Sequence, residues 1–179
     1  KNIDNSSLRF DSLKYPDLKF NYIGMENIEK GNGKLLKLDE VNGSEIKSQT
    51  IKLPKGFFLY GKLRPYLNKY FFNDLEFDNI IVSSEFFVFS AKNINEQYFK
   101  YVLSSSFIQS QIENHMKGAR MPRISEGIFR SLLIPIPPIE IQTKIANHIE
   151  VLKNEIQSLN QQTEQNRTLA LEEFENEVL

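Results

Sequence analysis

Residues 132–160 read LLIPIPPIEIQTKIANHIEVLKNEIQSLN, and this stretch decides how the chain is organised. An apolar run at 132–136, typical of a strand, leads into Pro137-Pro138. The 41 residues at 139–179 contain no glycine or proline. This composition predicts one continuous helix, about 60 Å long at a rise of about 1.5 Å per residue.

Apolar side chains recur along this helix at the spacing of a coiled coil. They step by 4, 3, 4 and 3 residues and are Ile145, Ile149, Leu152, Ile156 and Leu159. The seam then meets Thr163 and Asn166, a polar pair that costs stability but can select register and partner. An ordinary amphipathic helix packed on its own domain is the alternative. We favour a coiled-coil helix over 139–179.

The preceding part of the chain, 1–138, predicts a β-rich domain. Short runs of aromatic and β-branched residues alternate with turn signals, at 19–23, 35–38, 50–53, 57–60, 70–72, 80–82 and 86–89. Helices do not alternate with these runs, which favours a mainly antiparallel sheet over a doubly wound parallel one. A helical pattern follows at 95–117, with Asn95 as its N-cap. The predicted fold class is α+β.

Composition excludes several kinds of site. The 179 residues include no cysteine and two histidines, His115 and His148, which excludes disulfides, thiolate nucleophiles and cysteine- or histidine-rich metal sites. We therefore expect neither a metal nor a cofactor. Apolar runs are too short to span a membrane, no signal-peptide pattern opens the sequence, and a cytoplasmic location is expected.

The net charge of −1 conceals an uneven distribution. Residues 1–138 carry 19 Lys and Arg against 15 Asp and Glu, whereas residues 139–179 carry 3 against 8. An acidic helix thus follows a basic domain. This asymmetry is compatible with a nucleic-acid partner for the domain.

Two basic stretches of the domain are candidate DNA-binding loops. The first, 61–69, reads GKLRPYLNK, and the second, 117–123, reads KGARMPR. Arginine can hydrogen-bond to guanine or phosphate, lysine supplies charge for phosphates, and asparagine can pair with adenine. The predicted DNA-facing residues are Lys62, Arg64, Asn68, Lys69, Lys117, Arg120 and Arg123. Tyr66 is not among the predicted DNA-facing residues, because an aromatic residue at a strand end more often fills the core.

Catalytic motifs give little support for an enzyme. The sequence has no glycine-rich phosphate loop, no G-x-S-x-G, no H-E-x-x-H and no Asn-Pro-Pro-Tyr/Phe segment. One pattern matches scattered nuclease motifs, with Asp17, Glu45 and Lys47 as candidates for a magnesium site. A metal-dependent nuclease is therefore one alternative, and a coiled-coil adaptor that binds protein is another.

The segment 132–142 followed by the long helix resembles the specificity subunit of type I restriction-modification systems. Four further segments, YIGMENIE at 22–29, GKLRPYLNK at 61–69, SSEF at 83–86 and GARMPRI at 118–124, resemble that family's target-recognition domain in the same order. The resemblance runs from about residue 20 to the last residue. The opening residues 1–19 lack the Trp and Leu-Gly segment associated with the start of that domain.

This resemblance implies a non-catalytic protein that reads one half of a bipartite target in double-stranded DNA. It also implies partners: adenine methyltransferase (modification) subunits, and a restriction/translocase subunit that hydrolyses ATP and cuts DNA. The family commonly carries two recognition domains and two helices in one chain. We therefore expect either a half-size subunit that forms a homodimer or one half of a longer protein, with its helices packed antiparallel in both cases.

Overall fold

A computed structural model describes residues 2–3, 8–116 and 121–178. The chain divides into two compact units, Lys1–Ile136 and Pro137–Leu179. Within the described part of the first unit lie nine strands and three α-helices. The strands are β1 (Asn2–Ile3), β2 (Arg9–Phe10), β3 (Lys19–Ile23), β4 (Asp39–Asn42), β5 (Thr50–Lys52), β6 (Phe58–Gly61), β7 (Tyr70–Phe72), β8 (Ile80–Ser83) and β9 (Phe86–Ser90). The helices are α1 (Glu96–Ser104), α2 (Ser106–Glu113) and α3 (Glu126–Ser131).

The strands form two sheets. The four-stranded sheet has the order β1-β9-β6-β7 and is antiparallel throughout. The five-stranded sheet has the order β2-β5-β8-β3-β4, in which the β3–β8 pair is parallel and the other pairs are antiparallel. The predicted α+β class with a mainly antiparallel β domain is therefore confirmed.

The adjacent strands β6 and β9 of the four-stranded sheet are buried on both faces. Leu59 of β6 and Val88 of β9 belong to a core cluster that also contains Ile23 and Val82 of the five-stranded sheet. Alternate residues of the same strands point the other way, because side chains on a strand alternate between its faces. On that second face Phe58 packs edge-on against Phe99 of α1, with ring centroids 4.9 Å apart.

Helix α3 closes the second face with one aromatic side chain. The ring of Phe129 is fully buried and stacks on Phe87 at 4.7 Å, while it also lies 5.1 Å from Tyr60 and 5.3 Å from Phe89. Burial raises the pKa of the Tyr60 phenol to about 12, and Tyr60 accepts a hydrogen bond from the Gln109 side chain. Tyr60 is therefore a neutral, packed component of this layer.

The predicted helical segment 95–117 is interrupted once. Asn95 is the N-cap, since its side chain accepts a hydrogen bond from the backbone amide of Tyr98 at 2.9 Å. Ser105 adopts an extended backbone that ends α1, and its hydroxyl accepts a hydrogen bond from Ile108 to cap α2. The helical prediction is thus confirmed over 96–113 except at the serine cap, a residue type that favours helix ends. Helix α2 ends at Glu113, so residues 114–116 are not helical, and Lys117 lies outside the described residues.

Two predicted strands differ in the structure. Residues 35–38 form no strand; the neighbouring β4 pairs with β3 instead, because this register packs Val41 against Phe20 and Ile81. Residues 132–136 also form no strand. Proline supplies no amide for a ladder, and the Pro135 carbonyl instead accepts a hydrogen bond from the Tyr98 hydroxyl.

The second unit is the helix α4 (Ile139–Val178), whose 40 residues confirm the predicted continuous helix. Its start is defined by the prolines: the Pro138 carbonyl accepts hydrogen bonds from the amides of Ile141 and Gln142. The Gln142 side chain donates to the Pro137 carbonyl at 2.7 Å. Every residue at 150–178 is exposed, so Leu152, Ile156 and Leu159 of the seam present apolar side chains to solvent.

We expect Phe129→Ala to lower the free energy of unfolding by about 3–5 kcal/mol, because it removes a fully buried ring from a close-packed aromatic layer. Urea unfolding followed by circular dichroism measures this change. Phe107→Ala is the matched control, since this ring is 49% exposed and its loss should cost about 0.5 kcal/mol. Equal stability of the two variants would contradict the assigned packing of α3.

Candidate nucleic-acid interface

The structure joins the two basic stretches that the sequence singled out. Leu63 and Arg123 form an isolated antiparallel bridge. The amide of Arg64 donates to the Pro122 carbonyl at 2.8 Å, and the amide of Ile124 donates to the Lys62 carbonyl at 3.0 Å. Residues 61–64 and 121–124 therefore form one continuous surface element, the joined loops, although they are far apart in the sequence.

The turn between β8 and β9 supports the joined loops. The amide of Lys62 donates to the Glu85 carbonyl at 2.8 Å, which continues the β6–β9 ladder beyond its last strand pair, Gly61 and Phe86. The Lys62 ammonium donates to the Ser84 carbonyl at 2.6 Å. The loops are thus attached by hydrogen bonds to the point where the chain passes from one sheet to the other.

Arg64 is exposed at the tip of the first stretch in an uncommon backbone conformation. Its φ angle is +47°, in the left-handed region that residues with a Cβ atom seldom adopt. A 3₁₀ turn, Pro65–Leu67, follows, and Asn68 ends it with a φ angle of +45°. Strained backbone of this kind concentrates at functional sites. Here it turns the 65–67 segment sharply and leaves the Arg64 side chain exposed.

Lys62 is half-buried and lies in a mixed group of charges. Its ammonium lies 5.0 Å from the centre of the Phe87 ring. Burial lowers the pKa of Lys62, and the nearby Arg123 and Arg9 lower it further, whereas Glu85 and Glu126 raise it. The surface therefore combines three cationic side chains with two carboxylates, and it is not uniformly basic.

The other predicted DNA-facing residues occupy different environments. Arg123 is exposed and pairs with Glu85, with Nη2 and Oε1 3.0 Å apart. Asn68 is 5% exposed, and Lys69 donates to the Met25 carbonyl at 2.7 Å, so both side chains face the domain. Lys117 and Arg120 lie outside the described residues. Any role of these residues in binding DNA stays a prediction.

Sequence reasoning missed three residues of this surface. Tyr66 is 48% exposed, contrary to the expectation that it fills the core, and it lies in the 3₁₀ turn between the left-handed residues Arg64 and Asn68. Arg9 comes close to Lys62 only through the pairing of β2 in the five-stranded sheet. Glu85 was visible in the segment SSEF, but a search for basic residues passes over an acidic one.

The nuclease alternative rests on Asp17, Glu45 and Lys47, which are all exposed. The Glu45 carboxylate accepts a hydrogen bond from the Asn42 side chain at 2.9 Å. In the described ranges, no group of three or more potential metal-ligating side chains comes together. Among the described helices, none combines the length and apolarity required to cross a bilayer.

Comparison with known proteins identifies the family. The family model of the type I restriction modification DNA specificity domain matches residues 2–166. The type I restriction enzyme HindI specificity subunit of Haemophilus influenzae is 31% identical over an alignment of 169 residues that covers 90% of this chain and 36% of that protein. The MjaVIII specificity subunit of Methanocaldococcus jannaschii is 34% identical over 67 residues, covering 37% of this chain and 15% of that protein.

Solved structures of type I restriction-modification proteins have a similar fold. The HsdS subunit of Thermoanaerobacter tengcongensis superposes with a TM-score of 0.74 at 26% identity, covering 84% of this chain and 40% of that one. A chain from a structure on complex assembly and conformational transition of the type I R-M system gives a TM-score of 0.75 at 26% identity, covering 86% and 40%. This chain spans less than half the length of each of these four relatives. Because the matched residues 2–166 include both the two-sheet unit with its joined loops and most of the long helix, the chain belongs to the type I restriction modification DNA specificity domain family.

Proposed function

We propose that this chain recognises a DNA sequence as one half of a bipartite target, for a type I restriction-modification complex. The observation that carries the proposal is the joining of residues 61–64 to 121–124, which places two exposed arginines, Arg64 and Arg123, on one surface element. Exposed guanidinium groups can read guanine edges or bind phosphates. Membership of the DNA specificity domain family supports the same function.

In this proposal the two arginines are the principal DNA contacts. Lys62, Lys117 and Arg120 supplement them, Lys69 does so only if its ammonium leaves the Met25 carbonyl, and Tyr66 is available to stack or to contact a sugar. Asn68 reads a base only if its buried side chain turns outward. The segment 1–138 is the recognition domain, and the helix at 139–179 is a spacer that sets the distance to a second recognition domain.

The proposal assigns no reaction to this chain. Methylation of adenine belongs to modification subunits, and cutting belongs to a restriction/translocase subunit, both of which bind to the complex. The specificity subunit supplies the sequence that is read and the scaffold on which the other subunits assemble. A protein-binding adaptor is the competing function.

The direct test is a map of adenine methylation in a host that expresses this chain with its neighbouring methyltransferase subunit, compared with the same host without the chain. We expect a new bipartite motif only where the chain is present. Identical inverted halves would indicate a homodimer, and unlike halves would indicate a second recognition domain. Absence of a new motif, with the methyltransferase active beside another specificity subunit, would overturn the proposal in favour of the adaptor.

We expect Arg64→Ala and Arg123→Ala each to weaken binding of the complex to its mapped target duplex. Loss of a base contact costs about 1–3 kcal/mol and relaxes one position of the target, whereas loss of a phosphate contact weakens all sequences and lowers the salt slope by about one. Fluorescence anisotropy over a salt series separates these cases. Lys92→Ala is the control, because this exposed lysine follows the opposite end of β9. Unchanged affinity in the double arginine variant would refute the assignment.

We expect the helix to associate through its seam, so that Ile156→Asp disrupts self-association by placing a charge among apolar side chains. Sedimentation equilibrium measures the oligomeric state. Val151→Asp is the matched control, since this residue is 63% exposed and lies outside the seam spacing. Equal association of the two variants would show that the seam is not the contact.

A further inference from the structure

Glu85 is an acidic residue of the proposed DNA-binding surface. It lies in the turn between β8 and β9, and its carbonyl accepts the hydrogen bond from Lys62 that continues the β6–β9 ladder. Its carboxylate Oε1 lies 3.0 Å from Nη2 of Arg123 on the second stretch. One residue therefore connects to both stretches, through its backbone to one and through its side chain to the other.

The environment of the Glu85 carboxylate is costly in two ways. The side chain is 26% exposed, and its second oxygen, Oε2, is buried without a hydrogen-bond partner among the described residues. A buried acceptor without a partner lowers stability. A negative charge beside the proposed DNA contacts also opposes the attraction of phosphates. A residue that served only affinity for DNA would be better as an uncharged side chain here.

In return, Glu85 fixes the orientation of the Arg123 guanidinium group. Arg123 is 60% exposed and has a long, flexible side chain, which without a partner samples many rotamers. Holding one edge of its planar group against Glu85 leaves the remaining N–H donors in a defined direction. Bidentate recognition of a base needs such a direction, whereas attraction to a phosphate needs only the charge.

We propose that Glu85 is a positioning residue that orients Arg123 for base recognition and reduces the non-specific attraction of the joined loops to DNA. The inference rests on the proposed function and adds to it a determinant of selectivity that makes no contact with a base. It predicts an uncommon signature. Removal of Glu85 decreases binding to the target and leaves binding to other sequences equal or stronger.

The experiment uses the chain in complex with its methyltransferase subunit and two duplexes, one with the mapped target and one with that target scrambled. We expect Glu85→Ala to lower the ratio of target to scrambled affinity about tenfold, with affinity for the scrambled duplex unchanged or increased. Glu85→Gln keeps an acceptor for Arg123 and should retain part of the ratio. Glu40→Gln is the control: Glu40 is in an exposed pair with Lys19 at 2.6 Å, and the same charge change there should leave the ratio within about twofold.

A double-mutant cycle with Arg123→Ala tests whether Glu85 acts through the arginine. In the Arg123→Ala background, we expect Glu85→Ala to change the ratio by less than about twofold, because the group that it orients is already absent. A merely structural role would reduce both affinities in either background, and thermal unfolding would show the loss of fold.

The outcomes separate the two proposals. If the unmodified complex discriminates the target from the scrambled duplex but Glu85→Ala leaves the ratio intact, the positioning role is overturned and the proposed function stands. Equal loss of both affinities also overturns the positioning role. If the unmodified complex does not discriminate at all, the proposed function fails, and the inference fails with it.

Discussion

The β6–β9 ladder is the constraint on which the rest of the structure depends. Both strands are buried on two faces, by the five-stranded sheet through Leu59 and Val88 and by the helices through Phe58 and Phe89. A slip of one residue would exchange these two sets of side chains, so the register is strongly specified. The ladder continues into the Lys62–Glu85 hydrogen bond, and the position of the candidate surface therefore follows from the core.

The positive charge of this surface is partly offset, because most of its cationic side chains are paired with groups of the protein itself. Lys62 and Lys69 donate to backbone carbonyls, and Arg123 pairs with a carboxylate. Arg64 is exposed on strained backbone. A cationic side chain that is already paired within the protein attracts DNA phosphates less strongly. Its donors are instead held in a fixed direction, and it helps to shape the surface. In a protein proposed to select one sequence among many, such balance favours discrimination over raw affinity.

Much of the fold could be predicted from periodicity. The strands at 19–23 and 70–72 have the predicted bounds, and the long helix follows from 41 residues without glycine or proline. Two predicted strands are wrong, because the local preference of a segment for a strand did not match the strand pairing in the folded protein. Residues 132–136 are apolar enough for a strand, but Pro135 has no amide to donate to a ladder. Residues 35–38 form no strand, and the neighbouring β4 pairs with β3, where Val41 packs against Phe20 and Ile81.

The candidate site, too, could be predicted only in part from the sequence. The sequence by itself determined the fold class, the helix, the coiled-coil spacing and the two basic stretches, because each depends on residue type and short-range spacing. Only the tertiary structure decided that the stretches join, that Asn68 and Lys69 face the domain, that Tyr66 is exposed and that Glu85 holds Arg123. These facts depend on contacts between residues far apart in the chain, and such contacts arise from the packing of two sheets, which no local pattern records.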